Sequence, residues 1–440
     1  MEPSLPFPSA CLSHWHRGTR SFPHLNANYN AKVPTTTKHA IIGSGISGAL
    51  TAFSLIENGT NPTDILILEA REAVSGASGR NAGHIRPDAF RGFPHYASLH
   101  GPEQAIKILQ NEKRVLEQTR AFITTHDINS DFVDTTTFDV CMTPESIAEQ
   151  ESALAAYKDA GGDVSQVRIW EGEEARFRTR VRSALRAYEW PAASNNPAKL
   201  VQWILSDVVG KGAGLWTHCP VDEVVRVRGR GGGGWEVHTS RGTVVAETVV
   251  HCTNAYAGLL VPGLGGMLRP RRSQAQTFVP GGFVGGEALG KTMALRYGGG
   301  HFFSVNPLKD GMVVIGGTGT RDGGDVGTEE WKAEASFDDR GFNTVLAENS
   351  RREFEGIWEV ERHGEGFDYA WTGILGITRD SVPVVGAVDG LEGQWVCAGF
   401  NGHGMAIAFT CALGLAKLVS GERWEETGLP ECFKARVNSE

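Results

Sequence analysis

Lys38-His39-Ala40-Ile41-Ile42-Gly43-Ser44-Gly45-Ile46-Ser47-Gly48-Ala49-Leu50-Thr51-Ala52-Phe53-Ser54-Leu55-Ile56 is the stretch whose reading decides the fold. His39 to Ile42 is a short apolar run of the kind that forms a buried parallel strand. Gly43 to Gly48 is a G-x-G-x-x-G fingerprint, and Ala49 to Ile56 carries apolar residues three and four apart, as a helix does. Gly59 stands where a left-handed C-terminal cap is wanted. A second strand, Ile65 to Leu68, ends on Glu69, roughly 20 residues after the last fingerprint glycine. Gly43 permits the tight turn, Gly45 lets backbone approach a pyrophosphate, and Gly48 lets helix lie close to strand, with Ile46 and Ser47 in the first helical turn. That turn offers free N–H groups and partial positive charge to phosphates, while Glu69, followed by Ala70, can accept from a ribose diol. The stretch therefore reads as a dinucleotide site rather than as a chance match among 56 glycines.

The chain, at 440 residues, is long enough for two joined domains. Its 42 basic and 51 acidic residues give a net charge of -9 with no long run of either sign, which argues against nucleic acid as a partner. The seven cysteines are scattered and form no Cys-x-x-Cys, which suits reduced thiols in a cytoplasmic protein and points to no metal. The N-terminus lacks the pattern of a secretory signal. The apolar stretch Met405 to Val419 falls short of the roughly 20 residues a membrane span needs and reads as a buried helix.

Residues 1–37 lack periodicity and read as an irregular arm across the surface, with Trp15 and Phe22 isolated and His14 and His16 solvated. Gly76-Ala77-Ser78-Gly79-Arg80-Asn81-Ala82-Gly83 is a loop of small residues able to press against a flat ligand. Helical patterns follow over 101–125, 148–160 and 171–177, with a strand at 135–142. From Trp190 the α/β pattern returns. Pro197 starts a helix, residues 214–245 read as a glycine-turned antiparallel meander, and Thr248 to Asn254 is a parallel strand whose polar end, Thr253 and Asn254, lies beneath a ligand crevice. Strands within 270–315 form a second sheet, followed by a helix near 341–354. The tail repeats the opening logic: a strand at 394–398, the turn Gly399-Phe400-Asn401-Gly402-His403-Gly404-Met405, and a helix. The expected division is an arm at 1–37, a nucleotide-binding layer at 38–100, 186–265 and 366–440, and a substrate side at 101–185 and 266–365.

With both glycine turns in view, the chain from residue 38 to about 420 resembles the flavin-dependent amine and amino-acid oxidase superfamily, which includes D-amino-acid, glycine, sarcosine and gamma-glutamylputrescine oxidases. The loop at 76–83 is most similar to the gamma-glutamylputrescine oxidase branch. The resemblance implies an α/β, Rossmann-like FAD domain of the glutathione-reductase type with an inserted mixed sheet-and-helix substrate domain. It also implies FAD on Gly43, Gly45 and Gly48, with Glu69 at the adenosine ribose and Val221 at the adenine. Ser78, Gly79, Arg80 and Asn81 would line the flavin, and Gly402, His403, Gly404 and Met405 would meet its pyrimidine end. The covalent cysteine of sarcosine-oxidase-like members is missing around Tyr369 to Gly373, and His84 lies beyond the position of the covalent histidine in dimethylglycine-dehydrogenase-like members. Non-covalent FAD is therefore expected.

The implied reaction is hydride transfer from the carbon of a C–N bond to flavin N5, with O2 as the expected acceptor and another electron acceptor as the alternative. His403 is the candidate catalytic residue, beside a purely structural reading of the same side chain. Arg296, Tyr297, His301 and Arg379 are candidates for binding an amine or amino-acid-like substrate. Two other classes remain. An NAD(P)-linked reductase needs a second mid-chain fingerprint that residues 231–234 do not supply, and a flavin-binding module without turnover would keep the first fingerprint alone.

Overall fold

The structure is a computed structural model, and it describes residues 4–227, 233–283, 285–317, 336–357 and 362–436. Part of the glycine run 231–234 lies outside the described residues.

The opening strand is Thr36–Ile42, and it sits at the centre of an eight-stranded sheet. The path runs Val384–Ala387, Gln394–Ala398, Gly242–His251, Thr36–Ile42, Ile65–Leu68 and Gly214–Trp216. Its inner strands are parallel, and the last four residues of the opening strand and all of Ile65–Leu68 are buried, which is why they read as unbroken apolar runs. Register is what assembles the site. Ile42 pairs with both Leu68 and His251, and His251 pairs with Val396, so four strands end abreast at their carboxyl edge. Beyond that edge stand Gly43, Glu69, Thr253 and the turn from Gly399.

The fingerprint helix is Ile46–Glu57, buried without a break from Ile46 to Leu55. It packs among Pro197–Gly210, Ala408–Val419 and the sheet in one apolar cluster, so it is an interior helix rather than an amphipathic surface one. The meander comprises Val221–Arg226, Trp235–Thr239 and the first half of Gly242–His251. Gly214–Trp216, read from sequence with the meander, instead pairs parallel with Ile65–Leu68. Gly242–His251 is one strand that takes an antiparallel partner at its start and parallel partners at its end.

The second sheet has nine strands, ordered Gly366–Thr378, Leu268–Val279, Val313–Gly317, His301–Pro307, Thr292–Gly298, Val133–Cys141, Arg186–Ser194 and His84–Ile85, with Arg168–Glu171 beside Arg186–Ser194. Three of these strands, Arg186–Ser194, Gly366–Thr378 and the two-residue His84–Ile85, correct the sequence reading, which grouped them with the nucleotide layer. Arg186–Ser194 is hydrogen-bonded along its whole length to Val133–Cys141, and Gly366–Thr378 to Leu268–Val279. Long-range pairing of this kind leaves no local signal. Helices Pro102–Thr125, Pro144–Asp159 and Gly172–Thr179 lie where periodicity expects them, and Thr344–Ile357 covers the far face of the second sheet through Gln276 Nε2 to Ser350 Oγ.

The arm is no surface strap. It forms a short helix, His14–Gly18, in which Trp15 and His16 are buried, and this corrects the expectation that His16 is solvated. All seven cysteines are unpaired. Among the described residues no helix is long and apolar enough to cross a membrane, and no cluster of His, Cys, Asp and Glu is arranged to hold a metal.

Candidate active site

The fingerprint glycines each answer to a contact. Gly43 has φ +108, and a Cβ there would lie 2.6 Å from Cys252 O, while one at Gly48 would lie 2.0 Å from Gly43 O. Only glycine lets helix and turn close this far. Gly45 is the N-cap and contributes no side chain, so the helix start stays open except at Ile46, whose N–H donates to Ser78 Oγ at 2.9 Å. Ser47 is buried in the same first turn.

Glu69 lies at the strand edge, as its spacing predicts, and it also fastens the turn. Its Oε2 accepts from Ser44 N–H at 3.0 Å and Ser44 Oγ at 2.7 Å, and its Oε1 accepts from Arg71 N–H at 3.0 Å. Oε1, with this single bond, keeps a lone pair for a ribose hydroxyl. Ser44 Oγ in turn accepts Val74 N–H at 3.0 Å, tying the first turn to the loop that follows Ala70. Val221 is buried at the head of its strand, paired with Thr239.

The loop at 76–83 reaches the fingerprint through Ser78, yet its other candidates turn to protein. Arg80 is buried, with Nε donating to Ser75 O at 2.7 Å and Nη1 to Thr372 O at 3.0 Å. Gly373 exists for that approach, since a Cβ there would lie 3.1 Å from Arg80 Cβ. Asn81 folds back on its own loop, donating to Ser78 O at 2.9 Å and accepting Gly83 N–H at 2.8 Å. A Cβ at Gly79 would strike His16 Nε2 and Val74 O, each at 2.3 Å, so this glycine makes room for the arm.

The second glycine turn is bound to the first layer by Asn254, at φ +46, whose Oδ1 accepts Gly399 N–H at 3.0 Å and Phe400 N–H at 3.3 Å. Asn401 fixes its other side, accepting Thr378 N–H at 2.8 Å. Gly402 has φ +74, and a Cβ at Gly404 would touch Phe400. Met405 packs on Ile85, Leu116 and Ala193. His403 Nε2 lies 2.8 Å from Glu112 Oε2, which also accepts Asp88 N–H at 2.6 Å, and Glu112 is fully buried. Burial pulls the His403 pKa down, but Glu112 outweighs it and raises the imidazole above its ordinary value.

These residues fit FAD on two grounds: the side-chain-free helix start at Gly45, and polar atoms that have no protein partner. Among the described residues, Thr253 Oγ1, Tyr256 Oη and both ring nitrogens of His84 are buried without a hydrogen bond. A buried polar group left so costs on the order of 1–3 kcal/mol, which a ligand's polar atoms would offset. Burial, then the charges of Arg86 and His403, lowers the His84 pKa to about 3, so His84 is neutral.

The four substrate candidates do not gather. Arg296 donates from Nε to the fully buried Asp139 at 2.8 Å, on the sheet face shared with Asn306, whose Nδ2 donates to Ala82 O. Arg86 meets the same carboxylate at 2.6 Å and stacks 4.9 Å from the Trp190 ring, with Arg91 at 3.9 Å. Burial alone would raise the Asp139 carboxyl, but Arg296, Arg86 and Arg91 hold it low, while burial brings Arg296 down to about 10. Tyr297 points to the opposite face, where its hydroxyl meets Glu353, and His301 lies 5.3 Å from its ring. Burial raises Glu353 to about 7. Arg379 is exposed, donating to Gly266 O at 3.3 Å. Alternation along the strand separates Arg296 from Tyr297, and of the two Arg296 shares the face that meets the loop at 76–83.

Sequence reasoning missed Glu112, Arg86, Asp139 and Arg71. Glu112 had a signal: it sits on the apolar stripe of its helix with Ile108, Val115 and Thr119, all buried. Arg71, buried against Asp339 at 2.8 Å, had none, its partner lying in a distant segment.

A family model described as FAD dependent oxidoreductase matches residues 38–418. The chain is 23% identical over 403 residues to a probable oxidoreductase OrdL of Rhizobium meliloti, covering 88% of this chain and 83% of that one. Glycine oxidase from Geobacillus kaustophilus superposes with a TM-score of 0.72 at 20% identity, covering 92% of this chain and 100% of that one. L-proline dehydrogenase from P. horikoshii gives a TM-score of 0.70 at 19% identity, with 92% and 100% covered. The likeness to these solved structures is one of fold.

Proposed function

The chain belongs to the family of FAD-dependent oxidoreductases, and from that premise we propose that it oxidises the C–N bond of an amine or amino-acid-like substrate. The single observation that carries this reading is the register that sets four strand ends abreast, so that Gly43–Gly48 and Gly399–Gly404 open on one edge, the second turn held there by Asn254. FAD, when bound, supplies a hydride acceptor. The fingerprint helix start would take its pyrophosphate, Glu69 its ribose, and the turn from Gly402 to Met405 the electron-rich end of its ring.

The protein's share of the chemistry is orientation and charge. Glu112 fixes the His403 ring and holds its proton, making His403 the nearest candidate for a proton carrier at the second turn. Arg86 and Arg296, gathered on Asp139, put guanidinium groups on the wall facing the loop at 76–83, which suits a substrate bearing an anionic group beside its amine. Tyr297, His301 and Arg379 have no part in this reading. That glycine oxidase and L-proline dehydrogenase share the fold supports amine chemistry by analogy alone. FAD is held without a covalent bond, and Cys11, whose Sγ lies 3.5 Å from Thr372 Oγ1, is the thiol against which that statement is tested.

The test is anaerobic mixing of the flavin-loaded chain with secondary amines, D-amino acids and polyamine conjugates. Bleaching of the flavin band by one class is expected, with peroxide appearing when air is readmitted. Flavin that bleaches with a chemical reductant and with none of these compounds contradicts the proposal. Bleaching without peroxide assigns a different electron acceptor.

A further inference from the structure

Before residue 38, where the family match begins, the chain spends its arm on the loop at 74–83. Ser13 Oγ donates to Gly79 O at 2.5 Å, Trp15 Nε1 to Asn81 O at 2.7 Å, and His16 Nε2 to Val74 O at 3.1 Å. His16 Nδ1 accepts Ser13 N–H at 3.3 Å, which fixes the neutral tautomer that donates from Nε2. All three side chains are buried. Two loop glycines are shaped to the arm: a Cβ at Gly79 would lie 2.3 Å from His16 Nε2, and one at Gly83, with φ +82, 2.9 Å from Trp15 Cζ2.

The loop needs holding. Val74 is β-branched and sits at φ +63, a conformation such residues adopt only when their surroundings impose it. Here His16 holds its carbonyl and Ser44 its N–H. On the inner side the same loop places Ser78 Oγ on Ile46 N–H, at the start of the fingerprint helix. The arm is anchored in turn to the second sheet, where Tyr369 Oη donates to Leu12 O at 2.8 Å, and to the segment before Thr344–Ile357, where Cys11 N–H donates to Asp339 O at 3.0 Å. A loop whose regular structure is one short 3-10 turn, Ala77–Gly79, is thus gripped on three outer carbonyls while its inner side shapes the cofactor turn.

We infer that Ser13, Trp15 and His16 are positioning residues for FAD, clamping the loop at 74–83 in the conformation that completes the cofactor site. The inference rests on the functional reading above, which puts FAD at that loop. Clamp and cofactor are therefore linked, and linkage is reciprocal: the factor by which the docked arm tightens FAD is the factor by which FAD tightens the arm.

The full chain is tested as wild type, Ser13→Ala and Trp15→Phe, the second keeping an aromatic ring while removing the donor to Asn81 O. FAD dissociation constants are read by flavin fluorescence, and the urea midpoint of each apoprotein alongside. Each variant should bind FAD about tenfold more weakly, the size of one hydrogen bond to a group that is then left buried and unpaired. Wild type supplies the converse readout without mutation: saturating FAD should slow tryptic cleavage after Arg17 and Arg20 by about the same tenfold factor. Unchanged FAD affinity in both variants, with only the apoprotein midpoint lowered, overturns the inference by making the arm a purely structural element. Cleavage rates equal with and without FAD overturn it as well. A wild-type chain that takes up no FAD overturns the functional reading, and the two failures are told apart because only then does wild type fail.

Discussion

Glu112→Gln probes a buried carboxylate aimed at the second glycine turn. Glu112 Oε2 holds His403 Nε2 at 2.8 Å, and the carboxylate is fully buried. A hydrogen bond to a charged group contributes about 1.5–3 kcal/mol, and the His403 side chain is 34% exposed, which places this pair near about 1.5 kcal/mol. The sign follows from the raised pKa of His403. That stabilisation is fully present below the unfolded value of 6.5 and is lost as pH rises through the higher folded value. In the Gln variant the main group that raises His403 is gone and Asp88 alone works against burial and Arg91, so the folded pKa drops and the acid-side stabilisation shrinks. Urea unfolding of both proteins between about pH 5 and about pH 9 gives a difference curve in which other titrating groups, Glu353 among them, cancel. Wild type should lead by about 1.5 kcal/mol on the acid side of that window, with the lead closing on the alkaline side. A difference that is flat with pH would refute the pairing as an ionic one.

The remaining expectations concern other parts of the molecule. His16 and His251 are buried and lowered to about 4, so stability should fall as pH drops from 6.5 toward 4, by up to about 3 kcal/mol for each; an unfolding free energy constant over that range contradicts their neutrality. Gly48→Ala puts a methyl 2.0 Å from Gly43 O, backbone that cannot yield, and should weaken FAD binding at least about tenfold in a fluorescence titration. Asp139→Asn leaves Arg86, Arg91 and Arg296 crowded without their carboxylate and should cost about 3–5 kcal/mol of unfolding free energy; a loss under about 1 kcal/mol would mean the cluster is solvated. Cys11→Ser should leave acid-released flavin unchanged, whereas flavin that stays with precipitated wild-type protein and leaves the variant would identify a covalent thiol.

What the sequence made legible was local. The first turn, Glu69 and the second glycine turn were readable because glycine placement, strand and helix follow one another within a few tens of residues, and parallel strands buried on both faces announce themselves as apolar runs. The sheet membership of Arg186–Ser194 and Gly366–Thr378 was not readable, since it depends on partners far along the chain. The arm misled for the same reason: Trp15 is buried by residues near 81 and 371, and nothing within 1–37 forecasts that. Arg296 and Tyr297 were offered together as substrate candidates, yet neighbours in a strand cannot share a face, a consequence of strand alternation that was available in advance. Glu112 on an apolar helix stripe was likewise visible and is the kind of residue to single out first.

The central claim is that two glycine turns, far apart in the chain, hold one FAD between them. Titrating the flavin-free full-length chain with FAD, then precipitating it with acid, measures this most directly. One equivalent of FAD taken up per chain, and all of it released on denaturation, is the predicted result. A folded chain that stays colourless in excess FAD contradicts the account.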